Sequence, residues 1–543
     1  MAATVVGGRG SCQATRGRIA LARRGSAPHG RLHAADGLFR HSTSVEVNGI
    51  NTIAPAERSG RPRDLFMPWF AGNISVLGLS YGAWVLAFGA SALQTVAAVV
   101  AGVVGSFLLV GFASLAGQRG SAPTMVLSRA AFGVRGNAVP TFLAYLSLVG
   151  WEVVLVSLAV LMSRTVAQRL GADGTQAMIV AFVLVVGVVL TSGIHGFRLV
   201  MRVQRLITWV TAALTVGYLA LVAPQMRLDG LAALPQGSAA AGLGAFVFCL
   251  TGFGLSWVNC AAGYSRYLPR DVSGRAVVGW TTLGAAAPPL VLTLSGLLLA
   301  ASDPTLAHGI AHDPIGALTT TLPTWYVLPF AVVALLGLVA GAILDIYSSG
   351  LTLLTLGLPV QRWAAVALDG VLMVIGTAYV VWVAEDFLGA FQAFLLTLGA
   401  PLAAWTGVFL GDLALRRTPY DETALHRADG RYGATNRLAL AWWALGTLIG
   451  WGLVVNSAMA WQGYLLGPLG GRDGALAGSG LGILVALAIG FLGTVATGRE
   501  RVRRQEAAPP RTAEPAARQG HPAYPGSHQM SSTEELPWTS PTP

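Results

Sequence analysis

The sequence predicts an all-α, polytopic membrane protein with about twelve transmembrane helices. Three observations predict it: charge is scarce and segregated, apolar stretches recur at spanning length, and arginine marks alternate gaps between them. The 543 residues are 54% hydrophobic and only 11% charged, with a mean hydropathy of +0.62. A soluble domain carries about 25% charged residues. A chain this poor in charge could not solvate its own surface in water, whereas in lipid it needs no such surface.

The apolar stretches fall at 66–89, 93–116, 139–162, 178–194, 206–222 and 243–263, then at 277–301, 325–356, 363–383, 388–410, 438–455 and 476–496. A bilayer crossing needs roughly 20 such residues. With the N-terminus inside, the expected cytoplasmic gaps hold Arg119, Arg129, Arg135, Arg198, Arg202, Arg205, Arg266, Arg270, Arg275 and Arg362, then Arg416, Arg417, Arg427, Arg431 and Arg437. The opposite gaps hold only Arg164, Arg169, Arg227 and Arg472. This bias sets orientation, and a wrong number of spans would scramble it. It predicts an even count with both termini cytoplasmic.

Residues 1–60 are polar and Arg- and Gly-rich, with no apolar core of a signal peptide. They predict a disordered cytoplasmic tail. Residues 61–498 hold all the apolar stretches and are expected to form one transmembrane domain, and 499–543, rich in Pro, Arg, Glu and Ser, predict a second disordered tail.

The net charge of +11 does not indicate nucleic acid, because no basic patch is interleaved with aromatics. Cys12, Cys249 and Cys260 are too few and too scattered for a disulfide framework or a zinc site, and neither CxxC nor HExxH occurs. No cofactor or metal is expected. The lipid bilayer of the cell membrane is the expected surrounding, and the chain is expected to be a monomer or loose oligomer.

Two spans read as interrupted. One carries Gly72-Asn73-Ile74-Ser75, followed by Gly78 and Gly82, and the other runs Thr251-Gly252-Phe253-Gly254 to Asn259. For any single glycine, close helix packing is the simpler explanation. Position argues for more: one interrupted span opens each five-helix half, as in transporters built from inverted repeats, whose sites lie at such breaks. Repeat one spans about 64–224, repeat two about 240–412, and the extra spans about 438–497.

Ionisable groups at membrane depth are costly and are functional candidates by default. Glu152 in the third span and Asp345 in the eighth are such candidates, while Asp369 in the ninth reads as a structural hydrogen-bonding group and Glu385 and Asp386 as residues in water. Asp412 reads as the partner of Arg416 or Arg417. If Asp345 carries a coupling proton, Asp345→Asn should uncouple uptake from pH. Trp151 and Trp257 lie away from span ends, where two indole faces could hold a flat aromatic ligand at about 1–3 kcal/mol per face.

The chain resembles the nucleobase–cation symporter family, in its purine–cytosine permease branch. The resemblance runs from about Val45 to Trp451. It is carried by Glu57-Arg58-Ser59-Gly60-Arg61-Pro62-Arg63-Asp64-Leu65-Phe66, Trp69-Phe70-Ala71-Gly72-Asn73, Ser128-Arg129-Ala130-Ala131-Phe132-Gly133 and Gly150-Trp151. Tyr264-Ser265-Arg266-Tyr267-Leu268-Pro269, Asp345 through Leu351, and Gly430-Arg431-Tyr432-Gly433 with Asn436 complete it.

The resemblance implies a LeuT-like fold of two inverted five-helix repeats plus two C-terminal spans. It also implies import of a nucleobase or related heterocycle with a proton or sodium ion, the proton being preferred. It places the base between Trp151 and Trp257, with Phe253 as a competitor for the second face. Glu152 and Asp345 then read the base edge, and Asn73, Val76, Ser348 and Ser349 lie at the cation site. Leu155 stands where relatives often carry an amide, and Gly263 where they usually carry an acid. A hydantoin, allantoin or vitamin heterocycle is the alternative substrate. An intramembrane enzyme would need a nucleophile–base pair or metal cluster, and a channel a repeated filter or charged ring; the sequence offers neither.

Overall fold

The computed structural model describes residues 50–508, apart from 196, 358–359, 385–386, 457–458, 466 and 469–470. Readings that fall on 1–49, 509–543, Glu385 or Asp386 therefore lie outside the described residues. Within them, all regular structure is helical.

Nine helices among the described residues are long and apolar enough to cross a membrane. They are Ala92–Gly120, Ala138–Arg169, Gly174–His195, Ala239–Ser265, Gly274–Ser302, Thr324–Thr355, Arg362–Trp382, Gly389–Leu415 and Leu481–Ala507. The other three expected spans are helical as well. The first is split into Phe66–Asn73 and Leu77–Leu86, so neither half is long enough alone. The fifth is Phe197–Val222, whose first half takes in Arg198, Arg202 and Arg205. The sequence reading put those arginines in a loop, but arginine propagates a helix well and can sit where the helix leaves the apolar layer. The eleventh is the 17-residue Arg437–Leu453.

Helix starts follow local chemistry. Ser91 and Gln94 form a reciprocal cap at the second span: the Ser91 hydroxyl accepts from the Gln94 N–H, and the Ser91 N–H donates to Gln94 Oε1 at 2.9 Å. Ser238 caps the sixth span by accepting from the Ala241 N–H.

The spans sort into two packed groups. The first, second, sixth and seventh pack on one another, and the third, fourth, eighth and ninth do likewise. The fifth lies against the first and eighth, while the eleventh and twelfth pack on the tenth. Five spans per repeat is an odd number, so the second repeat crosses the membrane in the opposite sense to the first. This is the LeuT-like arrangement the sequence implied.

Both tail readings reach into packed chain. Ile53 is buried, and Arg58 donates to the Leu268 and Gln118 carbonyls at 3.0 and 2.8 Å. The last helix runs past 498 to Ala507, where Arg501 donates to the carbonyls of Ala131 and Tyr432 at 2.7 and 2.9 Å. These guanidinium–carbonyl bonds tie the chain ends to the bundle. Asp412 and Arg416 form a buried two-point ion pair at 2.5 and 2.9 Å, as the sequence suggested.

Candidate substrate and cation site

The two breaks are where backbone groups become available. The first half-helix ends at Asn73, with Ile74 at φ −81°, ψ 78°. Asn73 Nδ2 donates to the Trp69 carbonyl at 2.8 Å, and the Val76 carbonyl accepts from the Leu79 N–H at 2.9 Å. The break lies against the eighth span because that helix is glycine there. A Cβ on Gly337 would come within 3.0 Å of the Ile74 carbonyl oxygen, and one on Gly72 within 2.4 Å of Leu344. In the sixth span the helix stops at Gly252, Phe253 adopts φ −103°, ψ −107°, and a tighter helical stretch covers Gly254–Cys260. Gly254 permits this break to press on the second span: its N–H donates to Ser106 Oγ at 2.9 Å, and a Cβ would sit 2.3 Å from the Ser106 carbonyl carbon.

The aromatic candidates fall into two linked sets. Trp151 is partly exposed and meets Phe391 and Phe394 of the tenth span edge-on, at centroid distances of 5.5 and 6.1 Å. Phe253 packs on Tyr81 at 4.4 Å, and Tyr81 meets the same Phe391 at 6.1 Å. Trp257, also partly exposed, meets Trp69 of the first half-helix edge-on at 5.9 Å, and Trp69 continues to Tyr264 at 5.3 Å. Phe253 is thus joined to Trp151 through Phe391, while Trp257 belongs with Trp69.

The carboxyls are buried. Glu152 and Asp369 are fully enclosed, and Asp345 is 2% exposed. Ser349 Oγ donates to Glu152 Oε1 at 2.8 Å and also bonds Asp369 Oδ2. Its hydroxyl, expected at the cation site, is thus held between the third and ninth spans. Ser348 Oγ donates to its own helix, to the Leu344 carbonyl at 2.9 Å. The structure brings the first break to the eighth span, but it engages both serine hydroxyls elsewhere.

Several buried polar atoms make no hydrogen bond within the chain: the indole nitrogens of Trp69 and Trp151, Glu152 Oε2, Asp345 Oδ2 and Asn259 Oδ1. Buried polar groups are nearly always bonded, so such atoms need an explanation. Those named here come from the first, third, sixth and eighth spans, two of which carry the breaks. Together they offer two donors and several acceptors next to aromatic faces, which suits a flat ligand with a polar edge. Among the described residues, no three His, Cys, Asp or Glu side chains could hold a metal ion.

The two departures also take their places. Leu155 is buried against Gly341, where an added Cβ would come within 2.8 Å of it, so it packs the third span on the eighth. Gly263 faces open space. Below it Arg266 is wholly buried and donates to the hydroxyls of Tyr347 and Tyr267 at 3.0 and 3.1 Å, which links the sixth span to the eighth.

Sequence reading did not mark Trp69 as a site residue, although it stands one helical turn before the break motif at Gly72. It also set Asp369 aside, because one helix read alone does not show that positions 152, 349 and 369 converge.

A family model described as "Permease for cytosine/purines, uracil, thiamine, allantoin" matches residues 52–467. The protein YxlA of Bacillus subtilis (strain 168), whose name assigns it provisionally to the purine–cytosine permeases, is 24% identical over 449 residues, covering 79% of this chain and 92% of its own. Among solved structures, Mhp1, a nucleobase-cation-symport-1 family transporter in a closed conformation with bromovinylhydantoin bound, aligns with TM-score 0.64 and 18% identity over 84% of this chain and 96% of its own. Mhp1 facing inward gives 0.58 and 17%, over 85% and 98%. A Na+-coupled sialic acid symporter gives 0.53 and 11%, over 82% and 90%. These likenesses fix the fold, and the family match over most of the length fixes the kind of protein: the chain is a membrane transporter, not an enzyme, and belongs to the permease family for cytosine/purines, uracil, thiamine and allantoin.

Proposed function

We propose that this permease imports a planar nitrogen heterocycle of the nucleobase type, cytosine or a purine, together with a cation, by alternating access. The observation that carries the proposal is the juxtaposition of aromatic faces with buried, unbonded polar atoms beside two interrupted helices. The ligand stacks on Trp151, with Phe253 or Trp257 supplying the second face. Glu152 Oε2 and Asp345 Oδ2 accept from its N–H edge. The backbone of the first break, around Asn73 and Val76, is the natural place for a coupling cation. The arginine bias supports cytoplasmic termini and insertion in the cell membrane.

Hydantoin-type ligands are the second reading, favoured by the fold likeness to Mhp1 with bromovinylhydantoin bound. Counterflow in proteoliposomes separates the two. Vesicles preloaded with unlabelled cytosine, adenine, hypoxanthine, uracil, allantoin or a benzyl-hydantoin are offered the labelled compound. Trapping of label by cytosine or a purine is expected. Trapping by the hydantoin alone would replace the first reading with the second, and trapping by none would sink both.

A further inference from the structure

The proposed symport leaves open which ion drives it, and a second cluster, set back from the break, bears on that question. Glu152, Ser349 and Asp369 come from the third, eighth and ninth spans and are each fully buried. The Ser349 hydroxyl lies between the two carboxyls, at hydrogen-bonding distance from Glu152 Oε1 and Asp369 Oδ2. It also reaches the Ile346 carbonyl at 3.2 Å. A hydroxyl has one proton to donate, so it cannot satisfy both carboxylates. Two ionised carboxylates in an apolar bundle, sharing one donor, repel each other strongly, and such pairs share a proton.

A separate residue points into the same place. Tyr145, 3% exposed, lies with its hydroxyl within hydrogen-bonding reach of Asp369 and within electrostatic reach of Glu152. The carboxyls of Glu152 and Asp369 also lie within hydrogen-bonding reach of each other, a bond that needs a proton on one of them because ionised carboxylates only accept. The site therefore has room for exchangeable protons. Charged and titratable groups around it are Tyr145 and Glu152 on the third span, Asp345 and Tyr347 on the eighth, and Asp369 and Arg362 on the ninth. Arg362 is directed elsewhere, onto the Gly193 and Ile194 carbonyls and the Tyr347 ring. The fourth span brings His195, which is exposed and held on the Thr191 carbonyl. Cys260 and Tyr264 of the sixth span face Asp345 instead.

We propose that Glu152 and Asp369, bridged by Ser349, hold the coupling proton, which makes this permease a proton symporter. The proposal rests on the transport reading above. Glu152 adjoins Trp151, and Asp345 lies within electrostatic reach of Glu152. One shared proton, held on the side bridged by Ser349, leaves Glu152 Oε2 as an acceptor for the base N–H edge, so base and proton can be carried together. This assigns the coupling ion to the pair rather than to the first break around Asn73 and Val76 or to Asp345, whose unbonded oxygen is left to read the base edge.

The test uses the full chain in proteoliposomes with an internal pH dye. A base trapped in counterflow should drive proton influx, and an imposed pH gradient should accumulate it. Asp369→Asn should reduce pH-driven accumulation by about tenfold or more, affecting counterflow far less, and Asp369→Glu should restore coupling. Should Asp369→Asn not fold, Ser349→Ala serves in its place. Infrared spectroscopy of the purified protein supplies a readout that needs no substrate: a protonated-carboxyl band near neutral pH, lost in Asp369→Asn and retained in Asp345→Asn. If no base is trapped, the substrate reading fails, and the band alone decides the proton site. A missing band, or a sodium gradient that drives accumulation without proton movement, would overturn the proposal.

Discussion

At the scale of single residues, the site depends on what each side chain leaves unbonded. Trp151 is partly exposed, and its indole nitrogen lacks a partner, so its energy is available to a ligand. Trp151→Ala should raise KM by about fivefold to about 150-fold, from the loss of about 1–3 kcal/mol of stacking, while Trp151→Phe should recover most of it. Equal losses in both variants would mean that the indole N–H, not the face, holds the ligand. Trp151 and Glu152 were legible in the sequence because an acid beside a tryptophan in mid-span has few structural explanations. Asp369 was not, since its meaning comes from Ser349 and Glu152, which are distant in sequence.

At the scale of elements, glycine sets how closely helices approach. A Cβ on Gly296 of the seventh span would lie 2.0 Å from the Leu79 carbonyl oxygen, and one on Gly82 would lie 2.2 Å from the Leu297 nitrogen. Both clashes are with backbone, which cannot give way cheaply. Gly296→Val should destabilise the fold by about 1–3 kcal/mol, read as a lower unfolding midpoint in detergent; an unchanged midpoint would refute this packing. The breaks at 72–75 and 251–259 were legible from composition, but which residues they face was not, because that depends on Gly337 and Ser106 in other spans.

The connection between the tenth and eleventh spans carries its own titration. Burial, and then the charge of Arg129, hold the His426 imidazole below its ordinary value. Its Nδ1 lies 3.3 Å from Arg129 Nη1, an arrangement that suits the neutral ring. A folded value below the unfolded one, about 6.5, stabilises the protein above that pH. The contribution fades as the pH falls through it. The unfolding midpoint should therefore drop between about pH 8 and about pH 5.5, and drop less in His426→Gln. Identical pH profiles for the two proteins would remove His426 from the account.

At the scale of the whole molecule, composition alone made the membrane class legible, since 11% charge cannot cover a soluble surface. Arginine placement gave the even span count. The division into two packed groups was not legible, because each group joins spans distant in the chain. Arg266 bonds Tyr347 from one group to the other, and the proposed base site draws its residues from the same two groups, so rocking one against the other would open it to either side. The central claim is gradient-driven import of a nucleobase-type heterocycle, and labelled cytosine and purine uptake into proteoliposomes under an imposed cation gradient tests it most directly. The account predicts accumulation above the external concentration that collapses with an ionophore. Uptake that only equilibrates, whatever gradient is imposed, would contradict it.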